Sequence, residues 1–420
     1  VVYGEVVMAK APPPPDPVFT LRGSAAPINA LHFQCSGPGP PLLYSGLEKG
    51  SVDVWNLNTR RTERVLDGHH GASVIWVSTL PSSDTLLSQG RDMRVCVWDL
   101  CEGRSTVTHT LHTGSVGFCQ CSQLEADIST TLLAIPGETT EEVKVVDLGS
   151  LTTLCSLTPD AKRGMLMCMK MWQDGGGGVE DVIDGGGGVD DMVGDVGGGV
   201  DDMVGGGGGD DLVGDVGGGG DDVVGSGGVD DMVGDGGGGL EDVEVGVVDG
   251  MADTGPLLTA GYEDGTLVLW DVSLRRPISC LKAHTEPVMC LDFDTGRGKG
   301  ISGSSDNALS SWTLDSQRSL QIQAPVVLTN PGVSQLRIRG DSKIVASAGW
   351  DCRVRVHSWK SLNPLAVLCY HRDQVRCVTF SDHPESTQTL MAAGSRDQLI
   401  SLWSIYSASR GTRPERHERY

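Results

Sequence analysis

Ile301-Ser-Gly-Ser-Ser-Asp306-Asn-Ala-Leu-Ser-Ser-Trp312 is the stretch on which the fold turns. A short apolar run ends in small residues, an Asp opens a tight turn, and a second run closes on Trp six residues later. That order reads as strand, turn, strand. The figure recurs in the runs ending Ser51-Val-Asp-Val-Trp55, Arg94-Val-Cys-Val-Trp98-Asp99, Thr266-Leu-Val-Leu-Trp270-Asp271, Arg353-Val-Arg-Val-His357 and Leu399-Ile-Ser-Leu-Trp403. Most alternate apolar with other residues, the period-2 pattern of a half-buried strand. The turn Asp stands at Asp92, Asp264, Asp306, Asp351 and Asp397. The first unit departs, with Lys49 in that place and Glu48 beside it.

Spacing turns the recurrence into an architecture. Trp55 to Trp98 spans 43 residues, Trp270 to Trp312 spans 42, Trp312 to His357 spans 45 and His357 to Trp403 spans 46. Glu142-Val-Lys-Val-Val-Asp147 supplies a degenerate unit with Val146 in the Trp place, 48 residues after Trp98. The next step, Val146 to Trp270, is 124 residues. Setting aside the 78 residues 174–251 restores a step of 46. An insert therefore interrupts the fourth unit, in the loop between its inner and second strands, rather than separating two domains.

The insert also explains the composition. The chain has 420 residues, 59 glycines and a formal charge of -23. Residues 174–250 carry 21 acidic side chains and 32 glycines with no Lys or Arg; the remaining 343 residues are near neutral at -2. Glycine makes ordering costly and like charges repel, so the insert is expected to be disordered. Gly206 to Gly214 fits a calcium-binding β-roll nonapeptide, but that fold needs a sustained nine-residue step. Here the acidic pairs from Asp190 onward alternate steps of 11 and 9. Disorder is also expected for the Pro-rich start, 1–16, and the charged tail, 407–420. The propeller would occupy 17–406, and Met8 would serve as initiator after read-through of residues 1–7.

Several function classes lose ground here. A near-neutral body has no phosphate-neutralising footprint, so nucleic acid is not expected as partner. No apolar window is long enough to span a membrane, and the start lacks a signal peptide's apolar core, which points to the cytoplasm or also the nucleus. The twelve cysteines have no C-x-x-C spacing and read as buried reduced thiols. No phosphate loop, zinc spacing or isolated nucleophile stands out, so neither catalytic residues, cofactor nor metal is expected.

A period near 43 with Gly68-His69, Ala283-His284 or Tyr370-His371 before it and Trp98-Asp99, Trp312-Thr313 or Trp403-Ser404 closing it resembles the WD-repeat family. The resemblance runs over residues 17–406 and implies an all-β fold, a seven-bladed WD-repeat β-propeller of four-stranded sheets. Val18-Phe-Thr-Leu-Arg22 would complete blade seven and close the ring, removing an exposed edge. The sets His69, Ser88, Asp92, Trp98 and His284, Ser302, Asp306, Trp312 look like hydrolase triads. Recurrence argues against catalysis, because an active site is built once. The resemblance implies structural hydrogen-bond chains within a blade. In blade seven His371, Asp397 and Trp403 remain, but Ala393 takes the Ser place, so that chain is expected to be incomplete.

More specific stretches lie outside the generic pattern: Leu66-Asp-Gly-His69, Gly114-Ser-Val-Gly-Phe-Cys119, Ala260-Gly-Tyr-Glu-Asp-Gly265, Leu328-Thr-Asn-Pro-Gly332 and Ala348-Gly-Trp-Asp351. They resemble the guanine nucleotide-binding protein beta-like branch of the family. That resemblance implies a non-catalytic adaptor, associated with the chaperone machinery that matures phosphatidylinositol-3-kinase-related kinases. A G-protein beta-like signalling subunit is the alternative, and a calcium-binding role of the acidic insert is another. A true beta subunit opens with apolar heptads that coil around its gamma partner. Ala11 to Asp16 is instead polyproline, so no gamma subunit is expected and the propeller is read as monomeric. An adaptor would display side chains just before the turn Asp on the narrow face: Arg91, Glu263, Trp350 and Arg396, with Tyr262 beside them.

Overall fold

The computed structural model describes residues 15–34, 41–80, 83–127, 130–173, 255–381 and 389–405. The expected disorder of 174–251, of 1–14 and of 407–420 concerns residues outside that set, and so does the second unit of the chain, Asp181–Met251.

The described strands form seven antiparallel sheets. From inner to outer strand, blade one is Ile28–Gln34, Leu42–Leu47, Ser51–Asn56 and Arg61–Asp67. Blade two is Val74–Thr79, Thr85–Gly90, Arg94–Asp99 and Thr106–His112. Blade three is Ser122–Glu125, Thr131–Pro136, Val143–Asp147 and Thr152–Leu157. Blade four is Leu166–Gln173, Pro256–Tyr262, Thr266–Asp271 and Arg276–Lys282. Its inner pair has Gln173 opposite Pro256, so the insert leaves and re-enters at the far end of one hairpin. Blade five is Val288–Asp294, Lys299–Ser304, Ala308–Leu314 and Leu320–Ile322, with Val326–Val327 also on its third strand. Blade six is Val333–Ile338, Ile344–Gly349, Val354–Ser358 and Pro364–Leu368. Blade seven is Val375–Phe380, Leu390–Ser395 and Ile400–Ser404, and its outermost strand is Phe19–Leu21 from the other end of the chain.

The turn Asp has a local cause. Asp92, Asp264, Asp306 and Asp397 each accept the backbone N–H two residues on, at 2.7 to 3.3 Å. This Asx bond closes the turn between second and third strands. The next residue is left-handed at Gly50, Met93, Gly265, Cys352 and Gln398. At Gly265 a Cβ would also strike the backbone of His284, so only glycine fits there.

The core lies between blades. Seven apolar clusters each join one pair of neighbours, and Leu21, Ala26, Ile28, Cys377, Ile400 and Leu402 form the one that ties blade seven to blade one. The ring is therefore closed by the same kind of contact that builds it. No α-helix occurs among the described residues, and none is long and apolar enough to cross a membrane. The described cysteines are all free. Cys280 and Cys369, expected inside, are exposed, the first on the outermost strand of blade four and the second just past that of blade six, where alternate residues turn to water.

Candidate interaction surface

Antiparallel order places the turns between second and third strands, together with the blade-to-blade loops, on one face of the ring. Arg91, Glu263, Trp350 and Arg396 all reach the surface there. Trp350 is 40% exposed and its indole lies against Gly332, whose φ of 89° and missing Cβ make room for the ring. Arg396 pairs loosely with Asp373 at 3.9 Å. Glu263 does local work, since its carboxylate accepts the Met165 N–H at 3.0 Å. Tyr262 does not belong to the surface. It is 0% exposed, packed between blades three and four, with its hydroxyl 3.4 Å from the Glu141 carbonyl. As the last residue of its strand it still follows the strand's inward alternation, which corrects its expected place beside the contact residues.

Sequence reading missed Phe118. It is 53% exposed on the loop that enters blade three, and the Arg91 guanidinium lies 4.6 Å from its ring centre. Such a cation–π contact contributes about 0.5–1 kcal/mol at an exposed site. The loop has no strand pairing and is pinned by buried Gln89 instead. The Gln89 carboxamide donates to Cys119 O at 3.0 Å and accepts from Cys121 N at 2.9 Å. The signal was present in Gly114-Ser-Val-Gly-Phe-Cys119, where an aromatic stands in a glycine-bearing turn rather than a strand.

The repeated polar sets lie inside the blades. In blade two Trp98 Nε1 donates to Ser88 Oγ at 2.8 Å, Ser88 lies 2.8 Å from His69 Nε2, and His69 Nδ1 lies 3.0 Å from Asp92. The hydroxyl that accepts from Trp98 has its own proton for His69, which leaves Nδ1–H for the carboxylate. His69 and Ser88 are fully buried, so neither the imidazole nor the hydroxyl is open to a substrate from solvent.

Blade seven corrects an expectation. Ala393 does occupy the second-strand place, but Ser401 stands opposite it in the sheet. Ser401 Oγ accepts from Trp403 Nε1 at 2.8 Å and meets His371 Nε2 at 2.8 Å, with His371 Nδ1 3.0 Å from Asp397. The missing hydroxyl comes from the neighbouring strand, so the chain is complete. Burial works against the charge of Asp397, yet His371 and the Arg372 N–H hold its carboxyl below the usual range. Blade five is the looser one. His284 Nε2 meets Ser302 at 2.9 Å, but Asp306 stands 3.7 Å from Nδ1 and Trp312 Nε1 has no hydrogen-bond partner among the described residues. Trp312 stacks instead in a column with Phe293 and Trp172 that joins blades four and five.

Blade six replaces the set. The fork of Arg355 holds Asp351 at 2.6 and 3.0 Å, and Asn330 adds a third bond at 2.9 Å. His357 stands in the Trp place with its pKa pushed down to about 4 by burial and by Arg355. The buried indole of this blade is Trp359, one strand period on, whose Nε1 donates to Asp294 of blade five at 2.7 Å.

The WD domain, G-beta repeat model matches residues 60–99, 275–313, 325–358 and 362–404, which cover blades two, five, six and seven. Guanine nucleotide-binding protein subunit beta-like protein 1 of Mus musculus is 39% identical over 399 residues, 94% of this chain and 98% of the mouse protein. The chain belongs to that family of WD-repeat proteins. Family members in fungi are more distant: ASTRA-associated protein 1 of Schizosaccharomyces japonicus is 26% identical over 409 residues, 93% of this chain and 99% of its own length. ASTRA-associated protein 1 of Schizosaccharomyces pombe is 34% identical over 168 residues, covering 36% of this chain and 44% of the fungal one. Blade three and most of blades one and four fall outside the repeat model, and these three blades lack the full His, Ser, Asp and Trp set, blade one keeping only its Ser45–Trp55 bond.

Proposed function

We propose that this chain is a non-catalytic adaptor whose narrow face takes a protein partner, in an assembly of the kind that ASTRA-associated protein 1 is named for. The resemblance noted above extends the reading to chaperone-linked maturation of phosphatidylinositol-3-kinase-related kinases. One observation carries the choice of face. Phe118 and Trp350, the exposed aromatics among the described residues, both stand at the mouth of the central channel on that side, and Arg91 stands beside Phe118. Aromatic and Arg side chains dominate binding energy where they can be desolvated. The His, Ser, Asp and Trp sets that look like hydrolase triads recur in blades two, five and seven, which supports a structural role for them rather than chemistry. A gamma subunit has no part in this reading.

The test replaces both aromatics, Trp350→Ala with Phe118→Ala, in the full chain. Proteins that copurify with the wild type should be recovered at a level lower by about tenfold, the effect of losing about 1.4 kcal/mol, with melting unchanged. Undiminished recovery from a folded double variant would refute the choice of face.

A further inference from the structure

The ring encloses a cavity of about 560 Å³ to which all seven inner strands contribute. Four cationic side chains line it, Arg91, Lys170, Arg337 and Arg376, against one carboxylate, Glu48. Asp292 stands behind Lys170 at 3.0 Å. Counting it, two positive charges stay uncompensated in a ring whose sequence is otherwise slightly acidic.

The cations are not equivalent. Arg376 bonds to Asn29 and Glu48, and Lys170 to Asp292. Arg91 lies over Phe118 at the mouth. Arg337 has one weak bond, from Nη1 to the Leu336 carbonyl at 3.3 Å, and no carboxylate within ion-pair distance among the described residues. Asp292 is already taken up, with one oxygen on Lys170 and the other accepting the Ile338 N–H at 2.9 Å. His32, close to Arg337, has its Nε2 2.9 Å from Thr79 Oγ1. Burial and the charge of Arg337 push its pKa down to about 4, so it adds no charge at neutral pH. A planar fork of donors thus faces a polar chamber with most of its bonds unmade, at a depth where Lys170 is still 36% exposed and solvent-borne ions can reach.

We propose that the channel binds a small phosphate-bearing molecule, with the Arg337 fork and Lys170 on the phosphate. Arg matches phosphate oxygens in pairs, and a partly dry chamber strengthens that bond. The volume falls in the range of small-ligand pockets, roughly 300–1,000 Å³. Met167, Met169, Met289 and Leu291 add apolar wall for the rest of the molecule. The wall is held in advance. Gln335 Nε2 donates across the channel to Gln120 Oε1 at 3.1 Å, Gln120 donates to the Ile75 carbonyl, and Gln335 accepts from Val378 N. A preorganised lining loses little order on binding. This site uses different residues from the aromatic mouth, so either reading can fail without the other.

The experiment melts the full chain in inorganic phosphate, in pyrophosphate, and in sodium chloride of matched ionic strength. The phosphates should raise the melting temperature above the chloride value. Arg337→Gln should abolish the rise, and Arg337→Lys should keep part of it. No rise beyond chloride with either probe, or an equal rise in Arg337→Gln, overturns the site. Should Arg337→Gln fail to fold, the imidazole of His32 in the wild type reads the same event by NMR. An anion on Arg337 cancels its repulsion, so phosphate should raise the His32 pKa by about half a unit or more. An unmoved His32 titration overturns the proposal equally.

Discussion

Asp53 occupies the place, two residues before the blade Trp, that Ser401 fills in blade seven. There a hydroxyl completes a buried bond chain; in blade one a carboxylate sits buried, with Ser45 serving Trp55 at 2.9 Å. Burial raises the Asp53 pKa to about 6, against a smaller opposing pull from a hydrogen bond with Ser24. The folded state therefore holds this proton more tightly than the unfolded chain does. Its contribution is favourable at low pH and is lost as pH rises from about 4 to about 6. Asp53→Asn should remove that slope and stabilise the protein at pH 7 by about 2 kcal/mol. Melting curves of both forms from pH 4 to 7 check this; parallel curves would sink it. Residues of this kind were readable in type but not in partner. Ser401 and Asp53 are ordinary strand residues in sequence, and only the register across the sheet shows which buried group each one meets.

Among elements, blade three is the exception that the repeat pattern hid. Six blades carry a register shift near the narrow-face end of the inner strand, whereas the inner strand of blade three is just Ser122–Glu125. The Gln89 side chain makes the two backbone bonds that a longer strand would have made, and so fixes the loop bearing Phe118. Gln89→Ala should leave Cys121 N and Cys119 O unpaired, at a cost of about 1–3 kcal/mol. Amide exchange across 114–121 should then speed up by at least about tenfold, with other blades unaffected. Uniform acceleration across the ring would show that Gln89 supports the fold rather than the loop. Strand positions were legible here because period-2 alternation is local. The loop was not, because a side chain standing in for a strand leaves no periodic trace.

At the scale of the molecule, ring closure joins the two ends of the chain. Phe19 pairs with Leu402, Thr20 with Ser401 and Leu21 with Ile400; Thr20 Oγ1 also donates to Tyr370 at 2.8 Å, and Leu21 is buried. Deleting residues 1–22 should lower the melting temperature by roughly 5–10 °C, since a buried Leu and an edge ladder are lost together. The fall should come as one shifted transition, because every blade leans on two neighbours. An unchanged melting point would refute closure by this strand. The number of blades, the insertion point in blade four and the turn Asp were determined by the sequence alone, through spacings and alternation that depend only on near neighbours along the chain. Tertiary structure decided what those neighbours could not. It buried Tyr262, brought Phe118 to the channel mouth near Arg91, completed the bond chain of blade seven from the third strand, and left Arg337 without an ion-pair contact among the described residues. Each of these depends on at least one contact between residues well separated in the chain, such as His371 with Ser401, which no local pattern encodes.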